Sequence, residues 1–234
     1  MNFKMSICGV LGAFLAVVPL GAQQDRTTDV DLDHVILGID SLRRGIERFA
    51  ALTGVTPQPG GQHPGRGTEN ALVSLGAGHY LEILSPIAPQ PGAAGDPRTR
   101  HEELTLAGWA LHTRALANVV TRLRAAGFAV ADPTPGSRRT PDGTLLQWQT
   151  AAVTGPGLEL APFFIEWAEG SAHPSSSSPA GCRLVSVELV HPDAQRLTAF
   201  FAAAGYAASV RTGNAPGGQL VLSCPRGRIV FSSR

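Results

Sequence analysis

The chain has 234 residues, with 19 Lys and Arg against 18 Asp and Glu. So even a balance offers no basic excess to hold a phosphate backbone, and nucleic acid is excluded as a partner class. The single lysine, Lys4, lies close to the start, which removes Schiff-base and lysine-nucleophile chemistry from everything after it.

Residues 1–22 come first. Lys4 supplies a positive n-region, Met5 to Leu20 is apolar, and Leu20-Gly21-Ala22 offers a small residue before polar Gln23, Gln24 and Asp25. This is the pattern of a secretory signal peptide, and its apolar run is shorter than the roughly 20 residues a membrane span needs. The expectation is a secreted or periplasmic protein, free of the membrane after cleavage. Cys8 leaves with the leader, while Cys182 and Cys224 remain. In an oxidising compartment these two could form a disulfide; geometry decides, and the sequence leaves the question open.

Residues 30–170 read as two βαβββ units. In the first, Leu32 to Ile39 is an apolar strand and Asp40-Ser41 provides N-cap chemistry. A helix follows with Leu42, Ile46, Phe49 and Ala50 on one face, and Gly54 stops it. Pro57 to Gly65 reads as a loop, followed by strands around Ala71 to Leu75 and His79 to Leu84, joined at Gly76-Ala77-Gly78. Residues 86–107 form a connector. The second unit has a strand at Trp109 to Thr113 and a helix with Leu116, Val119, Val120 and Leu123 inward. Its later strands are Leu145 to Val153, after the Pro141-Asp142-Gly143 turn, and Ala161 to Trp167.

Residues 171–181, with Ser175 to Ser178 flanked by prolines, have the composition of a linker. Residues 182–234 repeat the unit less completely. They offer a strand at Arg183 to Val190, a helix from Pro192 to Ala204, and strands near Gln219 to Ser223 and Arg228 to Ser232. The helix-ending glycines Gly54, Gly127 and Gly205 lie 73 and then 78 residues apart. Units with such a period must pack on one another, because each alone leaves a sheet face bare.

Several segments in order resemble one family: Leu32-Asp33-His34-Val35-Ile36-Leu37-Gly38-Ile39-Asp40, His63 through Asn70, Tyr80-Leu81-Glu82, Trp109-Ala110-Leu111, Pro141-Asp142-Gly143, Pro162 through Trp167, and Gly181 through Ser186. The likeness is to the glyoxalase-like domain branch of the vicinal-oxygen-chelate superfamily, which includes glyoxalase I, extradiol dioxygenases and antibiotic-resistance binding proteins. It implies an α+β fold in which paired βαβββ modules form a cupped mixed sheet, here with a third partial module at the C-terminus. It also implies a divalent metal on the concave face, ligated from the first and last strands of each module, and a small-molecule ligand.

Carried over residue by residue, the resemblance makes His34, Glu82 and Glu166 the metal ligands. One imidazole nitrogen and two carboxylates suit Zn, Fe, Mn, Ni or Mg. Strand alternation puts Leu32, His34 and Ile36 on one face. Glu82 stands among apolar neighbours, where an unpaired carboxylate is costly, so it needs a cation, a donor or solvent. Glu82 and Glu166 are also the carboxylates that would move a proton. The fourth ligand position falls on Gly108, which cannot ligate, with His112 as a substitute donor on the same face. Candidate substrate contacts are His63, Arg66 and Asn70 in a glycine-rich cluster with Thr68, then Trp109, then Arg139 (with Arg138 and Asp142 as a carboxylate clamp), and His173, folded back over the cup. His79, His101 and His191 read as solvated.

There is no Gly-x-Ser-x-Gly elbow, and His101-Glu102-Glu103-Leu104-Thr105 breaks the His-Glu-x-x-His pattern. The leading expectation is a small-molecule metalloenzyme of lyase, isomerase or dioxygenase type, whose metal polarises substrate oxygens. The alternatives are a metal-free binding or sequestration protein using the same cavity, and an interaction domain whose third repeat provides a homodimer face.

Overall fold

A computed structural model describes residues 30–76, 78–87 and 96–233; the leader expected at residues 1–22 lies outside them. The first unit comprises β1 (Val30–Gly38), α1 (Leu42–Thr53), β2 (Gln58–His63), β3 (Thr68–Gly76) and β4 (His79–Pro86). The second comprises β5 (Thr105–Thr113), α2 (Leu116–Ala125), β6 (Ala129–Val130), β7 (Thr134–Arg139), β8 (Leu145–Ala151), β9 (Val153–Thr154) and β10 (Phe163–Trp167). The third comprises β11 (Arg183–His191), α3 (Ala194–Ala204), β12 (Ser209–Thr212), β13 (Gly217–Cys224) and β14 (Gly227–Ser232). Local chemistry explains the helix ends. The Ser41 hydroxyl accepts the Arg44 N–H at 3.5 Å, and Gly54 closes α1 with φ 80°, a left-handed conformation that glycine adopts without a Cβ clash.

The first two units share one eight-stranded sheet in the order β2-β3-β4-β1-β5-β10-β8-β7, and the third forms a four-stranded sheet in the order β12-β11-β13-β14. The large sheet curls until its edge strands meet. The Arg138 guanidinium on β7 donates to the Gly60 carbonyl on β2, and a Cβ at Gly61 would overlap the Arg139 carbonyl. This explains strands that composition hid. Gln58–His63, expected as a loop, is β2, and Thr134–Arg139, also unexpected, is β7; both carry Gly and Pro. These residues are tolerated on edge strands, where one side has no ladder to complete.

The convex face carries the core. Val35, Leu37, Leu81 and Ile83 pack with Phe49 of α1, and Phe164 packs with Phe200 of α3. The third unit lies on this same face: Phe231 stacks on Phe49 at 5.9 Å, and Phe201 and Tyr206 pack on Trp109 at 5.5 and 5.8 Å. A disulfide joins Cys182 to Cys224 across the β11–β13 pair. The Ser/Pro segment connects the units as a docked strap: Ser74 donates its N–H to the Pro179 carbonyl at 2.8 Å, and Pro174 is buried. The concave face is left for a site.

Two consequences are measurable. Cys182 and Cys224 close a loop with a sequence separation of 42, so replacing both by serine should cost about 2–4 kcal/mol, read as a lower denaturant midpoint under oxidising conditions. A Cβ at Gly38 would overlap the Arg98 carbonyl. Gly38→Ala should therefore cost about 1–3 kcal/mol, as overpacked cores do, and should push the 97–99 turn off β1; an unchanged melting temperature would contradict this packing.

Candidate active site

A β-bulge in β1 sets the floor of the cup. The β1–β5 ladder slips between Leu32 and His34, so Leu32 joins the convex core while His34 and Ile36 turn inward. The alternation expected for Leu32, His34 and Ile36 breaks at this point, because the inserted residue, Asp33, shifts the phase of the strand. Asp33 is fully buried. Its carboxylate accepts from His34 Nδ1 at 2.6 Å, Trp167 Nε1 at 2.9 Å and His173 Nε2 at 3.3 Å. Burial alone would raise its pKa, but the bonds from His173 and His34 outweigh that and hold it well below the usual carboxylate range.

An ionised Asp33 can only accept, so Nδ1 of His34 carries a proton toward it, and Nε2 is the nitrogen turned to Glu82. It lies 3.7 Å from Glu82 Oε2 on β4. Glu82 is buried, and its Oε1 accepts from Asn70 Nδ2 at 2.6 Å. Burial pushes the Glu82 carboxyl up, but the fields of His34 and His63 and the Asn70 bond bring it below its ordinary value. A carboxylate and an imidazole nitrogen thus face each other a little beyond hydrogen-bond distance. Tyr80 and Phe163 flank the His34 ring at 4.5 and 5.5 Å. Burial, then the charges of Asp33 and Glu82, raise the Tyr80 phenol well above its ordinary value, so it stays neutral.

Around this floor the cup encloses about 500 Å³, its open mouth included. One side is cationic. Arg66 reaches Thr150 Oγ1 at 3.4 Å, Arg98 is braced by Asp96 through Nε at 3.0 Å, and Arg138 is buried at the seam. His63 holds Thr68 Oγ1 at 3.1 Å. Burial lowers the His63 pKa, Glu82 opposes this, and the three guanidiniums lower it further. The other side is apolar and aromatic, with Ile36, Phe163, Ile165, Trp148 and Trp167.

His34, Glu82, His63, Arg66 and Asn70 therefore converge as the sequence predicts, and His173 folds back over the cup to reach Asp33. Three expected contacts do not converge. Glu166 points to the convex side, where Oε2 accepts the Leu116 N–H at 3.0 Å; it caps α2, whose own N-cap residue, Ala115, offers no side-chain bond. Trp109 also faces the convex core and donates Nε1 to the Leu160 carbonyl at 2.9 Å. Arg139 is exposed and bonds the Gly143 carbonyl, while its neighbour Arg138 turns inward. Two histidines expected in solvent are bonded. His79 meets the Leu32 carbonyl at 2.7 Å, and His191 is buried with Glu159 Oε2 at 3.0 Å. Asp33 is the functional residue that sequence reasoning missed; its signal was a carboxylate next to a histidine inside an apolar strand.

The donor set does not fit a resident metal. The ladders pair His34 with Tyr80 in unit one and Ala110 with Phe163 in unit two, so the counterparts of His34 and Glu82 are Ala110 and Ile165. Neither can ligate. The expected Gly108 lies two residues further along β5, with the Arg98 side chain 3.8 Å from where its Cβ would be, and His112 does not line the cup. Among the described residues no three His, Cys, Asp or Glu side chains are grouped to hold an ion. The expected His34, Glu82 and Glu166 triad is reduced to two members, because Glu166 is out of phase by one residue.

The comparisons with known proteins agree on the architecture. The glyoxalase-like domain model matches residues 32–205. Among solved structures, a hypothetical protein from Staphylococcus aureus superposes with a TM-score of 0.59 at 19% identity, covering 88% of this chain and 86% of that one. Methylmalonyl-CoA epimerase from Streptomyces coelicolor, in complex with 2-nitronate-propionyl-CoA, has a TM-score of 0.45 at 17% identity, with 60% and 96% covered. The epimerase from Mycobacterium tuberculosis has a TM-score of 0.37 at 16% identity, with 58% and 85% covered. No curated protein matches the sequence. At 19% identity the likeness to the Staphylococcus aureus protein is one of fold. The match over residues 32–205 and the paired units forming one cup carry the conclusion: the chain belongs to the glyoxalase-like domain family, within the vicinal-oxygen-chelate superfamily.

Proposed function

We propose that this is an exported small-molecule enzyme of isomerase or lyase type that moves a proton at a carbon next to a carbonyl. The observation that carries the reading is the buried Glu82 carboxylate facing Nε2 of His34 at 3.7 Å. Glu82 takes the carbon-bound proton, and the electron pair moves onto the carbonyl oxygen as an enolate. The guanidiniums of Arg66 and Arg98 supply the positive field for that oxyanion. Proton return to carbon completes an isomerisation, whereas loss of a neighbouring group completes a lyase reaction. His34 shares the proton while it is held, and Asp33 stabilises the imidazolium that results. Only two ligands stand where a metal was expected, so no step is routed through one. The Cys182–Cys224 disulfide supports export, since such bonds persist in oxidising compartments.

Exchange of carbon-bound hydrogen for deuterium, followed by NMR on a panel of small carbonyl compounds, tests the chemistry. Glu82→Gln should lower exchange by about 10²–10⁴-fold, the range of a general base; an unchanged rate would overturn the reading. Glu166→Gln should leave exchange intact and cost only about 1 kcal/mol, as a lost cap does. Dialysis against EDTA should not change the rate, and activity restored by a divalent ion would return the metal to the mechanism.

The pH dependence of stability follows from Asp33 and Glu82, which both titrate below their ordinary values of 3.8 and 4.5 in the folded chain. Their contribution is fully present above about pH 4.5 and is lost as the pH falls through the folded values. Urea midpoints should therefore decline in acid, and Asp33→Asn should flatten that decline; an identical acid limb in the variant would rule out the Asp33 contribution.

A further inference from the structure

Arg138 is an unusual element of the cup. It is only 5% exposed. Its Nη1 donates to the Gly60 carbonyl across the seam, yet no carboxylate of the described residues forms an ion pair with it, whereas Arg98 in the same wall has Asp96. Buried charges are ordinarily paired, because desolvating an ion without a counter-ion is costly. Burial lowers the proton affinity of this guanidinium, and the Glu82 carboxylate, which opposes that effect, acts from inside the cup. Arg138 also lines a second hollow beside the cup, walled by Leu72, Leu146 and Pro174. Arg138 thus lines both spaces.

We propose that Arg138 is the carboxylate-binding residue of the site, so that the substrate is a carboxylic acid whose acidic head seats on this guanidinium while its body lies against the aromatic wall. This names the substrate class of the proton-transfer reading and rests on it. A guanidinium matches a carboxylate with two parallel N–H bonds, and Trp148 and Trp167, with ring centroids 5.4 Å apart, offer a flat apolar surface for the remainder. A bound carboxylate would supply the missing counter-charge. It would also be kept from Glu82 by the cation, so that two anions can occupy one cup.

The test uses benzoate and benzamide, which share a shape and differ in charge, with binding followed by tryptophan fluorescence. The wild-type protein should bind benzoate about ten- to a hundredfold more tightly than benzamide, the factor a charge-assisted bond supplies. In Arg138→Gln the benzoate affinity should fall to that of benzamide, while benzamide binding stays as it was and shows that the cup is intact. Should the Gln variant lose both ligands, Arg138→Lys decides: it keeps the charge and should still prefer benzoate. Equal affinities in the wild type or in Arg138→Lys, no binding of benzoate, or an unchanged benzoate affinity in Arg138→Gln would overturn the proposal and leave Arg138 as a staple of the seam. Glu82→Gln should retain the preference for benzoate, so failure of the proton-transfer reading and failure of the carboxylate subsite are separately visible.

Discussion

One buried carboxylate organises this molecule. Asp33 sits with no solvent at a slip in the β1–β5 ladder and is tolerated only because three N–H groups reach it, from His34, Trp167 and His173. Each donor comes from a different part of the chain: the first strand, the last strand of the second unit, and the strap beyond it. The cost of burying that charge thus ties together the pieces that make the cup. It also settles which nitrogen of His34 faces Glu82, and so couples the fold to the geometry of the cup.

The second unit has lost the polar half of the arrangement. Where unit one carries His34 and Glu82, unit two presents Ala110 and Ile165. The cup is therefore asymmetric, with His34, Asn70 and Glu82 on β1, β3 and β4, guanidiniums from the 64–66 and 97–99 turns and β7, and an aromatic wall on β8 and β10. An asymmetric cup suits a molecule with one charged or reactive end and one apolar end. The third unit occupies the convex face and leaves the concave side open.

How far the sequence was legible depended on whether a claim needed only a period or also a phase. The helices were readable, because Ser41 and Gly54 mark their ends and Phe49 marks the inner face. The pairing of two units was readable from the spacing of the glycines. His34, Glu82, His63, Arg66 and Asn70, which line the cup, could be singled out because polar residues within apolar or glycine-rich segments stand out without any knowledge of register. Glu166, Trp109 and Arg139 were misplaced for a common reason: in a strand a slip of one residue reverses the face. In β7 and β10 the inward residue is the neighbour, Arg138 and Ile165. Asp33 escaped because a bulge sets two consecutive side chains on the cup side, which no alternation rule anticipates.

The strap at residues 171–181 has an architectural consequence. Its His173 grips Asp33, its Pro179 carbonyl is bound by Ser74 of β3, and just after it Cys182 is bonded to Cys224. The terminal unit is thereby moored to Asp33 at the floor of the cup as well as to the outer surface. A chain trimmed to its two-unit cup would lose His173, one of the three donors on Asp33, so the buried carboxylate of the first strand depends on residues beyond the two units that build the cup.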